Sequence, residues 1–273
     1  MRIALATTPQ SNFKLIGRGF KLYAASFKQV FGLSLLLSLI VFMPRFIAII
    51  NPQDIFSSFN NLNFFNLFLI LIEIIGLFVY VAMLWRIRCV ITDEHESILD
   101  DFKIASQKIL YIIGAAIVYT LILGLLFFAT NYILNFIKEI QSSNDFFKWS
   151  FLLISTYYVI NLYVFYLFIF YAPLILTENK GVFTALKKSA CLVWGNWWRV
   201  FLLMLTPIVL YISLMIIVKS VFHINMNVYF LWPNESESIF AALLNMLIFA
   251  VALPYAGSVL LLQLRDLELR QQL

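Results

Sequence analysis

The sequence predicts an all-α, polytopic integral membrane protein. It expects six transmembrane helices, arranged as three repeats of an amphipathic interfacial helix plus a helical hairpin. Three observations carry this. First, of 273 residues 63% are hydrophobic and only 12% charged, whereas a soluble domain is usually about a quarter charged. That is too little charge to coat a water-facing surface. Second, six apolar runs lie at about 30–50, 67–88, 109–134, 150–176, 200–221 and 239–262. Each reaches the ~20 residues that a helix needs to cross a ~30 Å hydrocarbon core. None alternates apolar and polar residues as a transmembrane strand does. Third, if the runs cross in turn, fifteen of the nineteen Lys and Arg fall on one side of the membrane.

That third observation sets the orientation. Arg2, Lys14, Arg18, Lys21 and Lys28 precede run one. Arg86, Arg88, Lys103 and Lys108 follow run two, and Lys180, Lys187, Lys188 and Arg199 follow run four. Arg265 and Arg270 follow run six. Arg45, Lys138, Lys148 and Lys219 fall on the other side. The positive-inside rule then places both termini in the cytoplasm. The first run starts far behind Met1 and behind a basic leader, so it reads as a retained span rather than a cleaved signal peptide. Cys89 and Cys191 both fall on the cytoplasmic side and form no disulfide framework.

The repeat appears ahead of runs one, three and five. Ile16, Phe20, Tyr23 and Phe27 are spaced by three and four, as are Ile98, Phe102, Ala105 and Ile109, and Phe183, Leu186, Ala190 and Val193. Each set is the spacing of one helix face. Charged residues occupy the opposite faces: Lys14, Arg18 and Lys21; Asp100, Asp101 and Lys103; Lys187 and Lys188. These segments read as amphipathic helices at the cytoplasmic interface. A basic residue marks each membrane entry, at Lys28, Lys108 and Arg199. The expected repeat units are about 11–88, 97–176 and 181–262, within a single membrane domain covering 1–273.

The richest stretch runs from Tyr171 to Phe201. It holds Pro173 near the end of run four, then Glu178, then Ala185-Leu186-Lys187-Lys188-Ser189, then Gly195-Asn196-Trp197-Trp198-Arg199. This stretch resembles the membrane domain associated with bacterial glycerophosphodiester phosphodiesterases and the related YciC-like inner-membrane proteins. Ser97 to Gly114 resembles the preceding copy more weakly. The likeness covers most of the chain in layout and about thirty residues in motif. It implies a six-helix module of the bacterial inner membrane. It does not imply phosphodiesterase activity, because a separate soluble domain performs that chemistry and none is expected after run six.

Two ionisable residues lie within runs. Arg45 and Glu73 each sit ~10 Å below the outer end of their helices, counted at the rise of an α-helix. Runs one and two are antiparallel, so an intramembrane ion pair Arg45–Glu73 is expected, because a lone charge in hydrocarbon costs ~2.5 kcal/mol or more. The pair reads either as a structural clamp or as part of a polar pocket, and Arg45 alone could snorkel to headgroups. Trp194, Trp197 and Trp198 beside Arg199, with Lys187 and Lys188, read as an aromatic belt or a lipid-headgroup contact. The run Asp93-Glu94-His95-Glu96 reads as a solvated loop rather than a metal site, since it lacks HExxH-like spacing. Asn131, Asn161 and Asn245 are expected to bond between helices.

No phosphate loop, paired-cysteine ligand set or nucleophile elbow occurs. The sequence therefore assigns no catalytic residue, cofactor or metal. The expected partners are membrane lipids and other membrane proteins, not nucleic acid. The first reading is a non-enzymatic inner-membrane protein serving envelope or lipid organisation. The alternative is a transporter or lipid-handling protein with a polar pocket lined by Arg45, Glu73, Asn161 or tyrosines.

Overall fold

The structure is a computed structural model and describes residues 7–50, 64–94, 96–140, 143–224 and 238–272. Every regular element among them is helical: α1 (Asn12–Ile50), α2 (Phe64–Thr92), α3 (Ile98–Ile140), α4 (Ser143–Phe168), α5 (Tyr171–Glu178), α6 (Val182–Val193), α7 (Trp197–Phe222) and α8 (Ile239–Gln271). Six stretches are long and apolar enough to cross a membrane, with α4 and α5 together making one. The chain is a multi-pass, all-α membrane protein. The reason is local: in hydrocarbon no water can bond a free N–H or C=O, and a helix satisfies both within itself.

Contacts divide the chain into two units. The first holds Met1–Ile109 and Leu202–Leu273, and the second Leu110–Phe201. These units cut across the boundaries 11–88, 97–176 and 181–262 expected from the repeat. In the first unit α1 and α8 form the principal pair, and α2 packs against both.

Small residues make that pairing close. The buried stripe of α1 is Leu15, Gly19, Leu22, Ser26, Val30, Leu33, Ser34, Leu37 and Ser38. It lies one residue away from the expected stripe Ile16, Phe20, Tyr23 and Phe27, of which Phe20 is exposed. Large apolar residues suggested the face. Close approach through small side chains decides the interface instead. A Cβ on Gly19 of α1 would stand 3.0 Å from Val259 Cγ2 of α8, and at the α2–α8 contact one on Gly257 would stand 2.7 Å from Ile87 Cδ1 and 3.3 Å from Leu84 Cδ2. The Ser34 hydroxyl donates to Ala250 O at 2.6 Å, crossing between α1 and α8.

The two ends of this unit's chain meet. Gln10 N donates to Asp266 Oδ1 at 2.7 Å, and Arg270 donates from Nη2 to Gln10 O at 2.8 Å and from Nε to Asp266 Oδ2 at 2.9 Å. The leader is thereby clasped to the last helix.

The expected interfacial helices differ among the three copies. The first two are continuous with their spans, as α1 and α3. No proline falls where the leader meets the apolar run, and Gly32 at the first junction stays helical, so the hydrogen-bond ladder continues. In the third copy α6 is a separate helix, ended by Trp194 and by Gly195 at φ 84. That left-handed conformation suits glycine. The buried face of α6 is Ala185, Leu186, Ser189, Leu192 and Val193. Phe183, expected on this face, is 75% exposed.

Span four is also broken, between α4 and α5. Pro173 has no N–H to donate to the preceding turn. The break is repaired from α6: the Ser189 hydroxyl donates to Leu167 O at 2.8 Å and accepts from Phe170 N at 3.2 Å. One side chain thus serves both a freed carbonyl and a freed amide.

Gly257→Val should lower the melting temperature of the detergent-solubilised protein, corresponding to ~1–3 kcal/mol of overpacking. Gly17→Ala, at a helical position with nothing within 4 Å, should raise it slightly, by ~0.5–1 kcal/mol. Paired thermal scans of the two variants check the assignment of the close interface.

Candidate functional site

The first unit holds three arrangements. The deepest is around Arg45. Its side chain is fully buried, and its guanidinium carbon lies 5.7 Å from the centroid of the Phe42 ring. Phe42 in turn contacts Phe249 of α8, with centroids 5.8 Å apart. Nearby on α8, Asn245 is fully buried and its Oδ1 accepts a short hydrogen bond from the Tyr211 hydroxyl of α7. Asn245 therefore bonds between helices, as expected. Asn131 and Asn161 instead donate to carbonyls of their own helix, Phe127 O and Tyr157 O, each at 2.8 Å.

Glu73 is in a different environment from Arg45. It lies exposed on α2, with Leu71, Ile74 and Ile75 exposed around it. The expected pair Arg45–Glu73 is not among the ion pairs of the described residues. Matching depths along two antiparallel helices were legible in the sequence. The rotation of each helix was not, and rotation places Arg45 inward and Glu73 outward.

The second arrangement closes the turn between α2 and α3. Arg86 Nε donates to Asp101 Oδ2 at 2.6 Å, and Arg86 Nη1 donates to Glu96 O at 2.7 Å. Both members of the Arg86–Asp101 pair are buried, with side-chain exposures of 8% and 0%. Asp101 Oδ1 has no hydrogen-bond partner among the described residues. Glu96 Oε2 accepts from Trp85 Nε1 at 2.6 Å and from Cys89 Sγ at 3.6 Å. Ser97 and Asp100 cap α3 reciprocally: Asp100 Oδ2 accepts from Ser97 N at 3.0 Å, and Ser97 Oγ accepts from Asp100 N at 3.2 Å. Asp93 and Glu94 are exposed, as a solvated loop predicts, whereas Glu96 and the following Asp101 are tied to α2 by Trp85 and Arg86. The available signal was Arg86 and Trp85 at the end of a span, with acids across a short turn.

Cys89, Glu94 and Glu96 each offer a ligand atom within 4.8 Å of the other two. Such a trio could hold a cation. The Glu96 oxygen, however, already accepts from the Trp85 indole and the Cys89 thiol, which makes it part of the turn closure. His95, considered with this run, lies outside the described residues.

The third arrangement is a pair of cavities in the first unit. One, of about 510 Å³, lies between α1 and the end of α2, with Lys21, Gln29, Cys89 and Glu94 on its wall. The other, of about 240 Å³, is apolar and lies beside Pro207, Tyr211, Phe249 and Leu253. Arg45, Glu73 and Asn161, the expected wall of a polar pocket, line neither.

The second unit carries the interfacial residues. Trp194 and Trp198 are exposed, at 69% and 70%, and Lys187 is exposed with them on α6. Trp197 is turned inward: it stacks on Phe201 with centroids 5.2 Å apart and meets Tyr166 edge-on at 5.9 Å. Lys188 forms a short ion pair with Glu178, which Lys180 also approaches at 3.4 Å. The six residues expected at the interface therefore divide. Lys187, Trp194 and Trp198 face outward, Lys188 ties α6 to α5 through Glu178, Trp197 packs α7 against α4 at Tyr166, and Arg199 is half-buried.

Comparison of the chain with protein families, curated proteins and solved structures returned no match.

Arg86→Met should cost ~3–5 kcal/mol, because it leaves the Asp101 carboxylate buried without its cation. The double variant Arg86→Met/Asp101→Leu should recover most of that loss, and a double-mutant cycle by thermal unfolding in detergent reads the difference. Glu73→Leu should favour membrane insertion by up to ~2.5 kcal/mol, whereas Arg45→Leu should destabilise the fold by ~2 kcal/mol or more. Insertion assays and melting temperatures test these opposite signs.

Proposed function

We propose that this chain is a non-enzymatic protein of the bacterial inner membrane, of the kind its third repeat resembles, that organises envelope lipids through its basic, tryptophan-rich interface. One observation carries the reading: Phe183, Trp194 and Trp198 stand out from the second unit beside the exposed Lys187. Indole rings favour the headgroup layer, where an apolar body and a polar N–H are both accommodated. A lysine near an anionic surface adds ~1 kcal/mol of attraction. Both termini are proposed to be cytoplasmic, on the strength of the Lys and Arg bias.

Lipid handling through a cavity is the second reading, and the 510 Å³ space at the end of α2 favours it. Catalysis is not part of the proposal.

The lipid contact is tested by reconstituting the chain in vesicles with and without anionic lipid. Trp194→Ala/Trp198→Ala/Lys187→Ala should reduce the enrichment of anionic lipid around the protein and weaken quenching of tryptophan fluorescence by headgroup-level quenchers. Unchanged enrichment would reject the reading. Orientation is tested at Cys191, which is exposed: a membrane-impermeant maleimide should label it only after the inner membrane is opened.

A further inference from the structure

We propose that the cavity between α1 and the end of α2 binds a zwitterionic amino-phosphate group, with Lys21 receiving the phosphate and Glu94 the ammonium. Its volume of about 510 Å³ falls in the range of small-molecule sites, ~300–1,000 Å³. Its wall is divided by charge. The α1 side carries Lys21 and Gln29, and the α2 side carries Cys89, Asp93 and Glu94. Ala24 and Ala25 hold the space open between them, since neither side chain reaches across.

The two key charges are poised rather than used. Lys21 and Glu94 are both exposed, and neither appears in an ion pair among the described residues. Packing of Gly76 against Leu37 and Ile40 sets the antiparallel register of α1 and α2. Continued along both helices, that register brings Lys21 level with the segment just past Thr92. The ammonium and the carboxylate therefore stand at one level on opposite walls. A simple anion in this space would face Asp93 and Glu94, and a simple cation would face Lys21. A group carrying both charges satisfies both walls.

The position suits a lipid source. Gln29 and Cys89 lie where the apolar runs end, so the cavity starts at the hydrocarbon boundary and opens toward the headgroup layer. A headgroup of the ethanolamine-phosphate type fits this placement, and a soluble phosphoethanolamine ester offers the same chemistry. The inference rests on the membrane reading above but uses a different unit and different residues from the tryptophan interface.

The test uses the full chain in nanodiscs, with lipid retention read by native mass spectrometry. Phosphatidylethanolamine should be retained over phosphatidylglycerol. Lys21→Ala and Glu94→Gln should each reduce retention about ten-fold, the loss of one charge-assisted contact. The swap Lys21→Glu/Glu94→Lys should restore part of it. Glycerophosphoethanolamine added to detergent-solubilised protein forms the second arm. Saturable binding there, lost in the same variants, assigns the site to a soluble ester, whereas retention confined to nanodiscs assigns it to the lipid. Equal retention of both lipids, or no effect of either variant, overturns the proposal. Zinc binding that requires Cys89 and Glu96 but not Lys21 overturns it in favour of a metal site. A loss seen only in Trp194→Ala/Trp198→Ala overturns it while leaving the tryptophan interface intact.

Discussion

Where water is absent, every backbone amide and carbonyl must find a partner inside the protein. The rest of this structure depends on that constraint. It explains why each described apolar run is a helix. It also explains how span four can break: Ser189 donates to Leu167 O and accepts from Phe170 N, so the interruption between Phe168 and Tyr171 leaves neither group open. The second interruption, at Gly195, lies just before the α7 run, where the backbone turns through a left-handed residue.

The same solvent changes what holds helices together. Apolar side chains gain little by leaving lipid, so the α1–α8 pair is organised by glycines and serines rather than by its largest hydrophobes. Gly19 admits Val259 and Ser34 reaches the carbonyl of Ala250, while Gly257 admits Ile87 where α2 packs on α8. At one end of this unit the Gln10–Asp266–Arg270 clasp closes the leader onto the last helix. Local contacts then carry the α2–α3 turn, where Arg86 neutralises Asp101 and the Trp85 indole holds Glu96.

Charges are treated according to where they fall. Arg45 is enclosed and lies near the Phe42 ring, and Arg86 is enclosed with its carboxylate partner. Lys187 remains outside, beside Trp194 and Trp198. Outward residues are available to lipid, and enclosed ones serve the fold.

Sequence by itself determined the solvent, the helices and their approximate limits. Hydrophobic length and the scarcity of charge are properties of composition, and they survive any arrangement of the spans. It also identified the Tyr171–Phe201 stretch, whose proline, serine and glycine all mark real features of the backbone. Only tertiary structure decided which way each helix turns. That rotation enclosed Arg45 and exposed Glu73, turned Trp197 inward and Trp198 outward, and shifted the α1 stripe onto Gly19 and Ser26. The physical reason is that lipid exerts little preference among apolar faces, so the choice falls to close packing and hydrogen bonds between segments far apart in the chain.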